Sequence, residues 1–192
     1  GTGITNCYAT GTITASSSGS SYAGGLVGND ATGSTITTAA ALNNRVTAVG
    51  TSVNIGRLVG SGTPGLETYA WRHMELNISG TTIKPVPAGG GNATNASTVM
   101  IWGNATFFDT LFSGYNTNWT LGTDAAYRLP LLNNLPGPAG ADASHLNVLH
   151  AITTQKTGDG TITQSPPGTA IPAGTPVTFT LRPPEKLVSL TD

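Results

Sequence analysis

A 32-residue repeat is the feature that most constrains how this chain of 192 residues folds. Residues 25–28 (GLVG) return as residues 57–60 (RLVG), and Ile4 and Ile36 open the two copies. A degraded third copy begins near Leu66. A constant period of about 20–50 residues indicates stacked units that bury their apolar side chains only against one another. The repeat therefore specifies a shape before it specifies any chemistry.

Each copy has the pattern of three short strands separated by turns rich in Gly, Ser and Asn. Three strands in every copy of the repeat predict an all-β fold, a β-solenoid in which the strands of successive coils pair in parallel. In that arrangement Ile13 would lie above Val46, and Leu26 above Leu58. Such aliphatic rows would fill the interior.

Glycine recurs at the end of the Leu-Val block, and this indicates a tight corner there. Gly28 and Gly60 are predicted as the repeat corners, because a corner requires either a positive φ or the absence of a Cβ atom. Arg57 stands where the first copy has Gly25. We expect the Arg57 side chain to point outward.

The composition excludes several classes of function. Charged residues make up 9% of the chain and the net charge is −1, so the basic patch that a nucleic-acid partner requires is missing. No apolar run approaches the roughly 18 residues of a membrane span. The single cysteine, Cys7, forms no internal disulfide and is predicted as a small interior residue.

Aromatic residues concentrate between positions 99 and 135, which hold seven of the twelve. We predict that this segment is a C-terminal cap on the repeats, with one short helix over about 106–113 that Gly114 ends. The cap would bury the apolar end of the last repeat. An aromatic platform for a ligand such as a sugar is the alternative.

The chain is predicted to divide into three regions: repeats and cap over 1–135, a linker rich in Pro and Gly over 136–144, and a small, truncated β module over 145–192. Strands are expected in this module near 145–154, 161–164, 176–181 and 187–190. We also interpret the chain as a fragment of a longer protein.

Two segments resemble known families. Residues 24–28 (GGLVG), which follow residues 6–13 (NCYATGTI), are similar to the GLUG motif of bacterial surface proteins. That resemblance covers residues 1–83 and implies a right-handed β-helix in an adhesin-like or secreted protein. Residues 158–163 (GDGTIT) and 173–178 (AGTPVT) resemble the start of a divergent internalin-B-type repeat, a spacer module. Neither resemblance supplies catalytic residues.

Few patterns in the sequence indicate catalytic or metal-binding chemistry. The histidines, at positions 73, 145 and 150, lack the spacing of a metal site. None of the nine Asp and Glu residues recurs at the repeat period, so stacked carboxylates for hydrolysis or Ca²⁺ are not expected. No catalytic, cofactor-binding or metal-ligating residue is therefore predicted.

The residues with the most functional character are Trp71, Arg72 and His73, which Glu67 and Glu75 flank. They are interpreted either as a polar strand face with Trp71 packed inward, or as a ligand contact. The full set of candidate ligand contacts is Tyr69, Trp71, Arg72, His73 and Tyr115.

These observations predict a non-catalytic, adhesin-like scaffold at the bacterial cell surface, associated with the outer membrane, or in the extracellular space. Its partner would be a host glycan or a protein surface, with no cofactor, no nucleic acid and no membrane span. The alternative is an accessory or carbohydrate-binding region of a larger secreted peptidase or glycan-degrading enzyme. The sequence carries no indication of the oligomeric state.

Overall fold

The computed structural model describes residues 3–31, 33, 35–84, 90–122, 128–135, 143–146, 149–167, 170–172 and 177–183. The chain forms two compact units, Gly1–Asn147 and Val148–Asp192. The predicted linker over 136–144 lies mostly outside the described residues, as do Tyr127 and the strand expected at 187–190.

The strands of the repeat region are all short. They are β1 (Cys7–Ala9), β2 (Ile13–Ser16), β3 (Ser20–Gly24), β4 (Val27–Asn29), β5 (Ala39–Ala41), β6 (Arg45–Val49), β7 (Ser52–Gly56), β8 (Val59–Ser61), β9 (Thr68–Trp71), β10 (Glu75–Ile78), β11 (Thr81–Ile83) and β12 (Thr94–Ala96). The abundance of Thr and β-branched residues between Gly and Ser turns accounts for these elements.

The first two copies of the repeat pair in parallel at the predicted offset. Ile13 of β2 pairs with Val46 of β6, as the sequence predicts. The Leu26 amide donates to the Leu58 carbonyl at 3.0 Å, so these two residues are also neighbours as predicted. β3 pairs with β7 and β4 with β8, and both pairs keep the offset of the sequence repeat. The repeat in the sequence is therefore a repeat in the structure.

The prediction of a right-handed parallel β-helix is nevertheless wrong. The strands of the described residues form separate small sheets, some parallel and some antiparallel, and none is closed. The repeat spacing drifts, since Cys7 pairs with Ala39 at the full repeat distance, whereas Tyr69 pairs with Thr94, well short of that distance. The third copy has a hairpin, β10–β11, where a solenoid would continue in parallel. A period that shrinks cannot keep a constant cross-section.

The aromatic segment also differs from its prediction. Its described residues form three short helices, α1 (Thr98–Ile101), α2 (Ala105–Leu111) and α3 (Tyr115–Asn118), rather than one. Asn104 caps α2, because its Oδ1 accepts from the Phe107 amide at 3.1 Å. After α3 come β13 (Trp119–Leu121) and β14 (Pro130–Leu132), which pair antiparallel. Gly114 adopts a positive φ of 71° and separates α2 from α3.

Helix α2 packs against one face of the sheet β1-β5-β9-β12. Tyr8, Ala40 and Tyr69 are partners in register on β1, β5 and β9, so their side chains point to the same face. The Phe108 ring lies 6.3 Å from that of Tyr8, and the Phe107 ring lies 5.2 Å from that of Tyr69. Ala40, fully buried between the two tyrosines, leaves room for α2.

A row of left-handed residues marks one corner of the repeat. Asn6, Thr38, Glu67 and Ala93 have φ angles of 51°, 50°, 54° and 56°, and each immediately precedes a strand of the same sheet. Residues other than Asn and Gly rarely adopt this backbone conformation. The Thr38 hydroxyl stabilises the row by accepting from the Asn6 amide at 3.0 Å and donating to Asn6 Oδ1 at 2.9 Å.

The structure places Gly28 and Gly60 inside strands β4 and β8, and neither has a positive φ. They are glycines because other backbone comes too close for a side chain. A Cβ atom on Gly28 would lie 2.9 Å from the Tyr22 carbonyl oxygen, and one on Gly60 would lie 2.4 Å from the carbonyl oxygen of Gly28. The two glycines thus stack directly on each other.

Arg57 does not point outward, because its side chain is fully buried. Its Nη1 donates to the Trp71 carbonyl at 3.2 Å, and its amide donates to Asn92 Oδ1 at 3.0 Å. Burial lowers the pKa of Arg57 to about 10, so the guanidinium remains charged at neutral pH. A short 3₁₀ helix, Gly90–Asn92, packs against this position instead of another repeat.

The described residues of the second unit form two antiparallel pairs of strands. β15 (Leu149–Ala151) pairs with β17 (Ala170–Pro172), and β16 (Thr161–Ser165) pairs with β18 (Thr178–Arg182). The strands predicted near 161–164 and 176–181 are present. The segment 145–154 is only partly strand, since a 3₁₀ helix, Ser144–Leu146, occupies its beginning. None of the helices in the described part of the chain has the length and apolarity to cross a membrane.

Candidate functional site

A pocket of about 290 Å³ opens between β9 and α2 in the first unit. Its lining residues are Glu67, Tyr69, Met100, Asn104, Thr106, Phe107, Thr110 and Leu111. The volume is at the lower end of the range for small-molecule sites, about 300–1,000 Å³. One ring-sized ligand would fill it.

Two aromatic rings form the apolar side of the pocket. The Tyr69 ring on β9 and the Phe107 ring on α2 meet at a centroid distance of 5.2 Å and an angle of 78°. Both side chains are half-buried. Rings that meet edge to face hold each other in place, and the result is a rigid, right-angled apolar corner that the ligand can contact.

The first turns of α2 supply the polar side. Asn104 Oδ1 caps the helix by accepting from the Phe107 backbone amide. That bond orients the side chain of Asn104, and its side-chain nitrogen can donate to a ligand. The Thr110 hydroxyl donates to the Thr106 carbonyl at 2.9 Å, and its lone pairs remain to accept. The exposed Thr106 hydroxyl adds a third polar group at the pocket.

Glu67 brings the one carboxylate among the described lining residues. It is exposed, and it has no ion pair with any described Lys, Arg or His. Its backbone belongs to the left-handed row, with φ of 54°, and its carbonyl accepts from the Ala39 amide at 3.2 Å. The carboxylate is therefore attached to a backbone position that the neighbouring repeat holds in place.

The candidate ligand contacts from the sequence do not form one site. Tyr69 lines the pocket, but Trp71 is only 4% exposed and Tyr115 only 3%. Tyr115 stacks on Phe108 at 6.4 Å, and burial, together with the charge of Asp109, raises the pKa of its hydroxyl. Trp71 and Tyr115 are part of the core, and Tyr69 is the candidate that a ligand can reach in the pocket.

Trp71 packs between two histidine rings, at 5.0 Å from His145 and 5.7 Å from His73. His145 Nε2 lies 2.6 Å from the Leu42 carbonyl, so that nitrogen carries the proton. His73 is exposed overall. Partial burial of its ring, followed by the charges of Arg72 and Lys84, lowers its pKa. The side chain of Arg72 is exposed while its amide donates to the Ala96 carbonyl at 2.9 Å.

No three His, Cys, Asp or Glu side chains come together as metal ligands within the described ranges. Cys7 is partly buried against the core, and burial raises the pKa of its thiol. A protonated, shielded thiol is a poor nucleophile.

Glu75, the other acid near the Trp71 segment, has a structural role. It forms ion pairs with Arg45 at 2.8 Å and Lys84 at 3.2 Å. Hydrogen bonds from Arg45 and then Lys84 lower the pKa of the Glu75 carboxyl. A lowered pKa means that the stabilisation is present above the ordinary glutamate value and is lost as the pH falls through the folded value.

We therefore expect Glu75→Gln to lower the free energy of unfolding by less than about 1 kcal/mol at pH 7, as is usual for exposed pairs. The loss should disappear at a pH well below the ordinary glutamate pKa. Urea unfolding followed by tryptophan fluorescence at the two pH values measures this, because all three tryptophans lie in the first unit. A loss of equal size at both pH values would contradict the ion-pair account.

The pocket cannot be found from the sequence, which places Tyr69 and Phe107 far apart along the chain. The available signal is the helical spacing of Phe107, Thr110 and Leu111, which puts them on one side of α2. By itself, that spacing indicates only packing within a cap. The missing information is that α2 lies across β9.

Comparison of the chain with protein-family models, with curated proteins and with solved structures finds no match. The resemblances to the GLUG motif and to the internalin-B-type repeat therefore stay predictions, and the chemistry of the pocket is the basis for a functional proposal.

Proposed function

We propose that this chain is a non-catalytic, adhesin-like binding scaffold that holds a saccharide in the pocket between β9 and α2. The observation that carries the proposal is the combination, in one pocket of about 290 Å³, of an aromatic corner and several polar groups with hydrogen-bonding capacity left over. Sugars have the matching chemistry, because a pyranose ring has apolar C–H faces and a rim of hydroxyl groups.

The aromatic corner would contact the apolar face of the sugar. Tyr69 and Phe107 are half-buried and already in edge-to-face contact, so binding requires little loss of side-chain freedom. A ligand that covers these rings gains from the removal of their remaining apolar surface from water.

The polar groups would pair with the sugar hydroxyls. Asn104 offers an amide donor, Thr106 and Thr110 offer hydroxyls, and Glu67 offers an acceptor. Because a hydroxyl both donates and accepts, this set suits a polyol better than a purely apolar ligand.

The lining supports binding rather than turnover. Glycoside hydrolysis uses two carboxyl groups that flank the scissile bond, and the described lining residues include only Glu67. Cell-surface or extracellular display, and the bacterial source, enter this proposal from the composition and the GLUG resemblance. The same pocket would also suit an accessory region of a secreted enzyme, whose catalytic domain would be a different part of the protein.

Replacing Tyr69 with alanine should weaken saccharide binding about tenfold, which corresponds to about 1.4 kcal/mol and to the loss of one ring contact. The test is a glycan array with the intact chain, followed by calorimetric titration of the strongest hit. Tyr22→Ala is the matched control, because Tyr22 is 38% exposed on β3 and does not line the pocket.

Thr110→Val provides a second variant that keeps the shape of the side chain and removes one hydroxyl. It should weaken binding several-fold without changing tryptophan fluorescence. An array without any bound glycan, or a Tyr22→Ala variant that loses as much affinity as Tyr69→Ala, would overturn the proposal.

A further inference from the structure

We infer that the pocket selects a saccharide that carries a free amino group, with Glu67 as the residue that recognises the cation. The inference rests on the proposed saccharide binding and adds the charge of the ligand to it. Among the described lining residues, Glu67 is the one carboxylate, and it lies beside the aromatic corner without an ion pair to another described residue.

The charges around the pocket favour a positively charged ligand. Glu75, the nearest acid along β9 and β10, is neutralised by Arg45 and Lys84. Glu67 has no such partner among the described residues, and no Lys, Arg or His lines the pocket there. A ligand ammonium group would supply the missing positive charge.

The aromatic rings of the pocket also favour a cationic ligand. An ammonium group within about 6 Å of an aromatic face is attracted by the ring quadrupole. Tyr69 follows Glu67 closely on the same chain segment, and both line the pocket. A cation between the carboxylate and the ring face would interact with both at once.

The fixed backbone position of Glu67 sets the direction from which its carboxylate contacts the ligand. The left-handed backbone at Glu67 is shared by Thr38 in the preceding repeat, and the amide of Ala39 bonds to the Glu67 carbonyl. The position is therefore set by the stacking of the repeats and not by a free loop. A fixed backbone lowers the entropy lost when the carboxylate engages the ligand.

A lysine side chain of a protein would also carry an ammonium group. The polar groups from α2 favour an amino sugar instead, because the Asn104 amide and the Thr106 and Thr110 hydroxyls need hydroxyl partners that a lysine side chain lacks. A sugar with an unsubstituted amine carries both the hydroxyl groups and the positive charge that these residues would bind.

The experiment compares β-1,4-linked glucosamine trimer with its fully N-acetylated counterpart by calorimetry, on the intact chain at low salt and at a pH where the amine is protonated. The free amine should bind about fivefold more tightly, the scale of one partly exposed charge pair with a ring contact. The preference should fall with added salt and should be lost in Glu67→Gln.

Asp109→Asn is the charge-matched control, because Asp109 is exposed on α2 and does not line the pocket. It should keep the fivefold preference. Equal binding of the two trimers, or a preference that survives Glu67→Gln, would overturn the inference and leave saccharide binding intact. A lysine derivative that binds as tightly as the amino sugar would overturn it in the same way. Absence of binding to these trimers and to every glycan on the array would overturn the proposed function as well.

Discussion

Replacing Phe108 with alanine is expected to lower the free energy of unfolding of the first unit by about 4 kcal/mol, within the usual 3–5 kcal/mol for a buried Phe→Ala change. Phe108 is fully buried in α2, and its ring contacts the rings of Phe107 at 5.1 Å and Phe112 at 5.5 Å. Truncation would leave a cavity at the point where α2 rests on the sheet.

Two further variants separate the causes of that loss. Phe108→Leu keeps most of the volume and removes the ring contacts, so it should cost only about 1 kcal/mol. Phe107→Ala removes a half-buried ring at the pocket and should cost less than Phe108→Ala. Denaturant unfolding followed by tryptophan fluorescence gives all three values, and a Phe108→Ala variant as stable as the parent chain would show that the aromatic cluster is not part of the core.

The repeat makes the local pairing of strands predictable. Leu26 and Leu58 are neighbours because the repeat period puts equivalent residues in the same place in successive copies, and Ile13 pairs with Val46 one residue beyond that offset. The wider architecture is not predictable from two good copies. The third copy shortens its spacing and turns back as a hairpin, and only the structure shows where the pattern stops.

The position of α2 on the sheet also cannot be predicted from the sequence. The pattern of Phe108, Leu111 and Phe112 indicates a helix with one apolar face, and that helix exists. A hydrophobic face does not say which surface it covers. The answer depends on Ala40, a small residue between Tyr8 and Tyr69, whose importance is visible only once the register of β1, β5 and β9 is known.

Arg57 shows why a substituted repeat position is ambiguous. A charged residue where the other copy has glycine indicates an exposed site, yet the side chain lies in the interior and donates to the Trp71 carbonyl. The two positions differ in their neighbours. A Cβ on Gly25 would lie 2.4 Å from the Arg57 carbonyl oxygen, whereas the backbone amide of Arg57 donates to Asn92 Oδ1 and its guanidinium donates to the Trp71 carbonyl.

Gly60→Ala is expected to be strongly destabilising, at about 3 kcal/mol, the upper end of the cost of forcing extra volume into a packed site. Its Cβ would lie 2.4 Å from the carbonyl oxygen of Gly28 and 2.7 Å from both the nitrogen and the carbonyl oxygen of Ala23. All three are backbone atoms of neighbouring strands, so no side-chain rotation relieves the clash.

Gly11→Ala is the matched control, since its Cβ would meet nothing within 4 Å and its φ is not positive. We expect this variant to stay within about 0.5 kcal/mol of the parent chain. The comparison distinguishes a glycine required by close approach of backbone from one that merely ends a strand. If Gly60→Ala and Gly11→Ala unfold at the same denaturant concentration, the close stacking of Gly28 and Gly60 does not hold the first two repeats together. A large difference would mean that the recurring glycine in the sequence marks a contact between repeats and not a corner.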